Sequence, residues 1–144
     1  QAHRTVRETL DVSAPLPPAV GGRRRECFYN IFPNLDGRKV NLAAALSGGD
    51  PQMLAVGRAL MGNPAVILMD EPTEGLAPVV VQSIGRLILE LKKTGVAILL
   101  AEQNHQMALK VADRAAFMEK GRIVDEMPAS EAAGSQVLER ILGV

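Results

Sequence analysis

The sequence holds one cysteine, Cys27, so it can form no internal disulfide, and a reducing cytoplasm is expected. Cys27 lies in an apolar-aromatic run, which fits a structural thiol better than a reactive one. Net charge is also missing. Sixteen basic residues balance sixteen acidic ones, which removes the excess positive charge that nucleic-acid affinity rests on, and no nucleic-acid partner is expected. Two histidines and no C-x-x-C cannot build a zinc site by themselves. No G-x-S-x-G elbow supports Ser-His-Asp hydrolysis. The longest apolar runs, residues 65–69 and 96–101, are too short to cross a bilayer. The first residues, QAHRTVRETL, contain no apolar leader segment and no initiating Met, so a piece of a longer chain is expected. There is no internal repeat and no low-complexity tract.

What is present is 144 residues, 47% hydrophobic and 22% charged, enough for one domain with a real core. Residues 4–12 read as a short helix with Val6 and Leu10 on one side. Three prolines and two glycines in SAPLPPAVGG mark 13–22 as a loop. Arg23-Arg24-Arg25 reads as a solvated face. Phe28, Ile31 and Phe32 have helical spacing and predict a helix ending near Pro33. Residues 36–46 are a connector. Met53, Val56, Leu60 and Met61 predict a helix that Gly62-Asn63-Pro64 stops. Met53, Met61 and Met69 read as core fillers.

The chain is organised around Ala65-Val66-Ile67-Leu68-Met69-Asp70-Glu71-Pro72. An apolar run without alternation predicts a strand buried on both faces, as in a parallel sheet. Pro72 ends it. Two carboxylates then lie at the carboxyl end of the strand, where open α/β sheets bind ligands. A metal–phosphate site explains them, with one acid on the ion and the other on a water. An acidic turn explains them equally well. Residues 79–94 predict an amphipathic helix through Ile84, Leu87, Ile88 and Leu91, ended by Gly95. With a second strand at 96–101 this forms a β-α-β unit, which implies a parallel sheet. A helix over 105–113 follows, with His105 in its first turn. Ala115–Met118 and Arg122–Val124 predict a hairpin turning at Lys120-Gly121. Ser130–Leu142 predicts one amphipathic helix with Val137, Leu138, Ile141 and Leu142 on its apolar face.

Leu46-Ser47-Gly48-Gly49-Asp50 opens the helix before the first strand. Two glycines leave backbone N–H groups bare for a phosphate at a helix N-terminus. Ser-x-x-Asp is also a helix capping box, and three residues alone do not decide between the two.

Order and spacing carry more than any one motif. LSGGD opens a helix, the helix leads to a strand ending Asp-Glu-Pro, a Gly-Leu-Ala turn follows, and the next strand ends in Glu-Gln-Asn. The set resembles the C-terminal half of an ABC transporter nucleotide-binding subunit. LSGGD resembles the signature motif, VILMDEP the Walker B motif and EGLA the D-loop, while AEQN stands at the switch motif. TEGLAP, LLAEQN, ADRA, MEKGRIV and the terminal ILGV are similar to the ATP-binding subunits of branched-chain amino acid importers. RTVRETLDV and YNIFPNL resemble parts of their helical subdomain. The likeness covers most of the chain, is densest over 44–126 and is least at 13–22.

The resemblance implies an α/β fold: a partial P-loop NTPase-like parallel sheet with a helical subdomain segment and a C-terminal β-hairpin plus helix. It divides the chain at 46/47, with 1–46 in the helical subdomain and 47–144 holding the signature helix and the C-terminal half of the ATPase core. It implies ATP and Mg²⁺ in a complete dimer. Asp70 would be the metal ligand, held directly or through water. Glu71 would polarise the attacking water. Ser47, Gly48, Gly49 and Asp50 would meet nucleotide bound mainly to the opposite subunit. Glu74, Gly75, Leu76 and Ala77 would contact that subunit, and Gln103 takes the switch position. Membrane permease subunits are the further partners, which places the protein in the cytoplasm, peripheral to the inner face of the membrane.

Three features depart from the family pattern. None of the five lysines follows a glycine, so the chain has no G-x-x-x-x-G-K-[ST]. Gln103 stands where most ABC subunits carry His. The branched-chain group often has Gln there, which hydrogen-bonds a phosphate but carries no proton as His⁺ would. Asp50-Pro51 replaces the usual Glu-Gln, and Pro51 removes one N–H beside the expected phosphate contact. The isolated chain is therefore expected to be inactive as an ATPase. The competing expectation is a truncated, non-catalytic interaction module that pairs with a P-loop-containing ABC subunit.

Overall fold

The computed structural model describes residues 3–12, 25–26, 28–30 and 32–143. The expected loop at 13–22, the expected Cys27 environment, Arg23, Arg24 and Ile31 lie outside the described residues. The chain forms two compact units, Gln1–Ala101 and Glu102–Val144.

In the first unit, helix α1 spans Val6–Val12. Thr5 and Glu8 start it reciprocally. The Thr5 N–H and hydroxyl donate to Glu8 Oε2 at 2.8 and 3.0 Å, and the Glu8 N–H donates to Thr5 Oγ1 at 3.2 Å. This capping box satisfies two otherwise orphaned donors and contributes about 1 kcal/mol. The bonds from the Thr5 backbone and then its hydroxyl lower the Glu8 carboxyl pKa. Val6 and Leu10 are fully buried, as their spacing predicts. Of the three arginines, Arg25 pairs with Asp11.

Arg25, Glu26 and Phe28–Asn30 are helical, and the helical stretch stops before Pro33, as expected. Pro33 opens a separate short helix, α2 (Pro33–Asp36), with Phe32 as its N-cap. A first helical turn needs no proline N–H, and φ is already set there. Phe28, Phe32 and Leu35 are buried, and the Phe28 and Phe32 rings lie 4.5 Å apart at 42°. A bridge from Thr5 to Leu42 and a 3₁₀ turn at Ala43–Ala45 carry the chain to α3 (Asp50–Met61). Met53, Leu54, Gly57 and Met61 are its buried residues, so the stripe is rotated from the expected one, and Val56 and Leu60 are half-buried. The Gly62 N–H caps the end on the Ala59 and Leu60 carbonyls, and Asn63 turns left-handed at φ 52°.

Strand β1 (Val66–Asp70), helix α4 (Pro78–Lys93) and strand β2 (Ala97–Ala101) form the expected β-α-β unit, with the strands parallel from Val66↔Ala97 to Asp70↔Ala101. Ile84, Leu87, Ile88 and Leu91 are buried along α4. The expectation that β1 is buried on both faces is corrected. Ile67 and Met69 are 5% and 6% exposed, but Val66 and Leu68 on the other face are 54% and 74% exposed, with Leu99 of β2 at 66%. Among the described residues the sheet has two strands and one open apolar face. An unbroken apolar run specifies two faces fit to be covered, not that both are covered.

In the second unit, α5 spans His105–Val111. The Asn104 side chain caps it by accepting the Met107 N–H at 3.1 Å. His105 is its first residue, as expected. Strands β3 (Arg114–Glu119) and β4 (Arg122–Pro128) form the expected hairpin, with left-handed Lys120 and Gly121 at the turn and a register shift between Phe117 and Met118. The single helix expected over Ser130–Leu142 is two: α6 (Ala129–Ala132) and α7 (Gln136–Leu142). Ser135 starts the second by accepting the Leu138 N–H on its hydroxyl at 3.3 Å. A new N-cap ends the old periodicity. Val137 and Leu138 are buried, while Ile141 and Leu142 are 40% and 44% exposed.

Candidate functional site

Asp70 is the last residue of β1 and is exposed. Glu71 follows with φ 43°, a left-handed backbone that costs a non-glycine residue about 1–2 kcal/mol. Two hydrogen bonds hold it there: its N–H donates to the Ala101 carbonyl at 2.9 Å, and its carbonyl accepts the Glu74 N–H at 3.1 Å. The ladder to β2 thus reaches one residue past β1, and the chain then turns sharply. Strain of this kind persists where the surroundings over-determine a geometry, and it clusters at functional sites. Pro72 and Thr73 behind it are buried. The result is two consecutive carboxylates at a strand terminus, with the second backbone fixed.

Glu74, Gly75 and Ala77 are exposed and Leu76 is half-buried, with the Leu76 N–H donating to the Thr73 carbonyl at 3.3 Å. This short turn delivers the chain to Ala77, the N-cap of α4.

The Ser47–Asp50 turn is not the capping box its sequence allows. Gly49 is the N-cap of α3 and no side chain caps it; the Asp50 N–H instead donates to the Ser47 carbonyl at 3.3 Å. The two glycines do different things. Gly48 has φ +63° with open space around it, so it supplies an exposed left-handed turn. Gly49 is buried, and a Cβ there would collide with Val80 Cγ1. Its missing side chain lets the start of α3 touch α4 three residues past Ala77, and so brings the LSGGD turn beside the segment that follows EGLA. Asp50 pairs with Arg38: Arg38 Nη1 to Asp50 Oδ2 is 2.6 Å, and the Asp50 side chain is 14% exposed.

Gln103 belongs to the second unit. It is exposed, and its carbonyl accepts the His105 N–H at 2.8 Å. Glu102 and Asn104 flank it, with the Asn104 N–H donating to Glu102 Oε2 at 3.1 Å. Sequence reasoning missed four features: the Glu71 backbone, the Gly49–Val80 contact, the Asn104 cap and the Arg38–Asp50 pair. Only the cap carried a local signal, an Asn just before a periodic segment.

Solved structures place this α/β fold among ABC ATPase domains. The chain is similar to MJ1267, an ATP-binding cassette of an ABC transporter, with TM-score 0.81 and 26% identity over 96% of this chain and 62% of that one. The ABC transporter family profile matches residues 3–74, and the chain belongs to that family. The high-affinity branched-chain amino acid transport ATP-binding protein BraG of Pseudomonas aeruginosa is 51% identical over 94 residues, which is 65% of this chain and 40% of that protein. The lipopolysaccharide export system ATP-binding protein LptB of Haemophilus influenzae is 32% identical over 132 residues, 92% of this chain and 54% of that one. The chain spans about half the length of these curated relatives.

Proposed function

We propose that this chain is part of the ATP-hydrolysing subunit of an ABC importer for branched-chain amino acids, to which it contributes signature, Walker B, D-loop and switch segments. The observation that carries the reading is the fixed Asp70-Glu71 pair at the end of β1, in a chain 51% identical to BraG over 94 residues. On this reading 1–46 belong to the helical subdomain and 47–144 to the signature helix and the core.

Asp70 holds Mg²⁺, directly or through water. Among the described residues no group of three or more His, Cys, Asp or Glu could hold a metal. An exposed single carboxylate suits Mg²⁺, which keeps several waters and takes its other ligands from phosphates. The ion supplies charge neutralisation on the phosphates. Glu71 accepts a proton from the attacking water, and its fixed backbone starts the side chain from a defined place at the strand end. The LSGGD turn presents N–H groups to nucleotide held mainly by a second subunit, and Glu74–Ala77 contact that subunit. Gln103 donates a hydrogen bond to the γ-phosphate. The assembly is a dimer of ATPase subunits on membrane permease subunits, at the cytoplasmic face. Among the described residues no helix is long and apolar enough to cross a membrane.

In P. aeruginosa cells lacking BraG, a subunit completed by a P-loop-bearing segment ahead of this chain is expected to restore uptake of labelled leucine. Intact ATPase activity without leucine uptake contradicts the amino acid assignment, and the LptB likeness over 92% of the chain makes another cargo the alternative. A second reading, a non-catalytic module that pairs with a P-loop-bearing ABC subunit, is favoured by the open Val66/Leu68/Leu99 face. It predicts that the completed subunit hydrolyses no ATP.

A further inference from the structure

We propose that Arg38 is a positioning residue for the signature turn, cancelling the Asp50 charge so that a nucleotide phosphate can approach Ser47, Gly48 and Gly49. The inference rests on the signature assignment above. Asp50 is an anion in a turn assigned to another anion, and its 14% exposed side chain has little water to screen it. Like charges brought together disfavour association unless one is compensated. The compensating charge comes from outside the motif. Arg38 lies in the four-residue turn after α2, and its backbone is held at both ends: its N–H donates to the Leu35 carbonyl at 3.1 Å and its carbonyl accepts the Asn41 N–H at 2.9 Å. Leu35 is fully buried, which anchors that turn in the helical segment. The neighbouring cation is committed elsewhere, with Lys39 Nζ 3.1 Å from Asp36 Oδ1. Arg38 is thus aimed at Asp50 by backbone held on the helical-subdomain side. From the other side, Val80 touches the bare Cα of Gly49. The turn is held between the two.

The test is capture of this chain by a P-loop-bearing ABC subunit, measured by sedimentation over a range of MgATP concentrations. Arg38→Ala is expected to raise the ATP concentration for half-maximal capture about five- to tenfold. In an Asp50→Asn background the same change is expected to move it less than about twofold, because no carboxylate is left to cancel. Arg38→Lys, which keeps the charge, stays within about twofold of the parent. Thermal melting checks that each variant remains folded, and the Asp50→Asn background separates a lost charge from a lost fold. No loss in Arg38→Ala, or an equal loss in the Asp50→Asn background, overturns the inference alone. A parent chain that is not captured with ATP overturns the signature assignment, and the inference with it.

Discussion

Glu71→Gln, in a subunit completed with a P-loop-bearing segment, is expected to lower the turnover number for ATP by about 10²–10⁴-fold while ATP-dependent pairing of subunits persists. Gln keeps the length and hydrogen-bonding oxygen of Glu but cannot take a proton from water. The strained backbone is retained, because Gln occupies φ 43° at a cost similar to that of Glu and the N–H to Ala101 bond does not involve the side chain. Binding and chemistry therefore separate. Half-saturation by ATP should change little, and the paired species should accumulate because it no longer turns over. Steady-state kinetics together with sedimentation reads both quantities. A variant that hydrolyses ATP within about threefold of the parent removes Glu71 from the role of general base.

Phe28→Ala is expected to destabilise the first unit by about 3–5 kcal/mol, and Gly57→Ala by about 1–3 kcal/mol. Phe28 is 1% exposed, lies 5.3 Å from the Tyr29 ring and 4.5 Å from the Phe32 ring, and covers the face of Gly57 so closely that a Cβ there would enter its ring. The first change leaves a cavity and the second overfills the same contact. The two are therefore coupled, and the double variant is expected to lose less than the sum, since the new methyl at 57 occupies part of the space the ring vacated. Urea unfolding followed by circular dichroism measures all three. Strict additivity contradicts the contact. The functional consequence is that α3, which carries the LSGGD turn at its start, is seated against the helical segment through this glycine.

Much of this was legible in the sequence because it is local. The β-α-β unit over 66–101 follows from an apolar run, a 3.6-residue stripe and a second apolar run. The hairpin follows from two short apolar segments around Lys120-Gly121. The order of LSGGD, VILMDEP, EGLA and AEQN marked the candidate site and its family. The rest was not legible because it depends on what lies alongside. An apolar run at 65–69 cannot say that Val66 and Leu68 face outward, since that depends on neighbouring layers. Apolar spacing across 137–142 could not reveal a helix start at Ser135, because every residue of that stripe lies after the break. Arg38 and Asp50 are twelve residues apart and share no period, and only the turn after α2 brings them together. Two adjacent glycines look alike in sequence, yet one sets a positive φ and the other admits Val80. The Thr5-x-x-Glu8 capping box was readable at the start of α1 and is the clearest signal that helical spacing alone passes over.

The central claim is that the carboxylates of this chain serve a nucleotide whose phosphates are gripped by a loop the sequence does not contain. Calorimetric titration of MgATP into the chain alone and into the chain completed with a P-loop-bearing segment tests this most directly. The account predicts no saturable heat for the chain alone and saturable binding once the loop is supplied. Tight, saturable binding of MgATP to the chain by itself would contradict it.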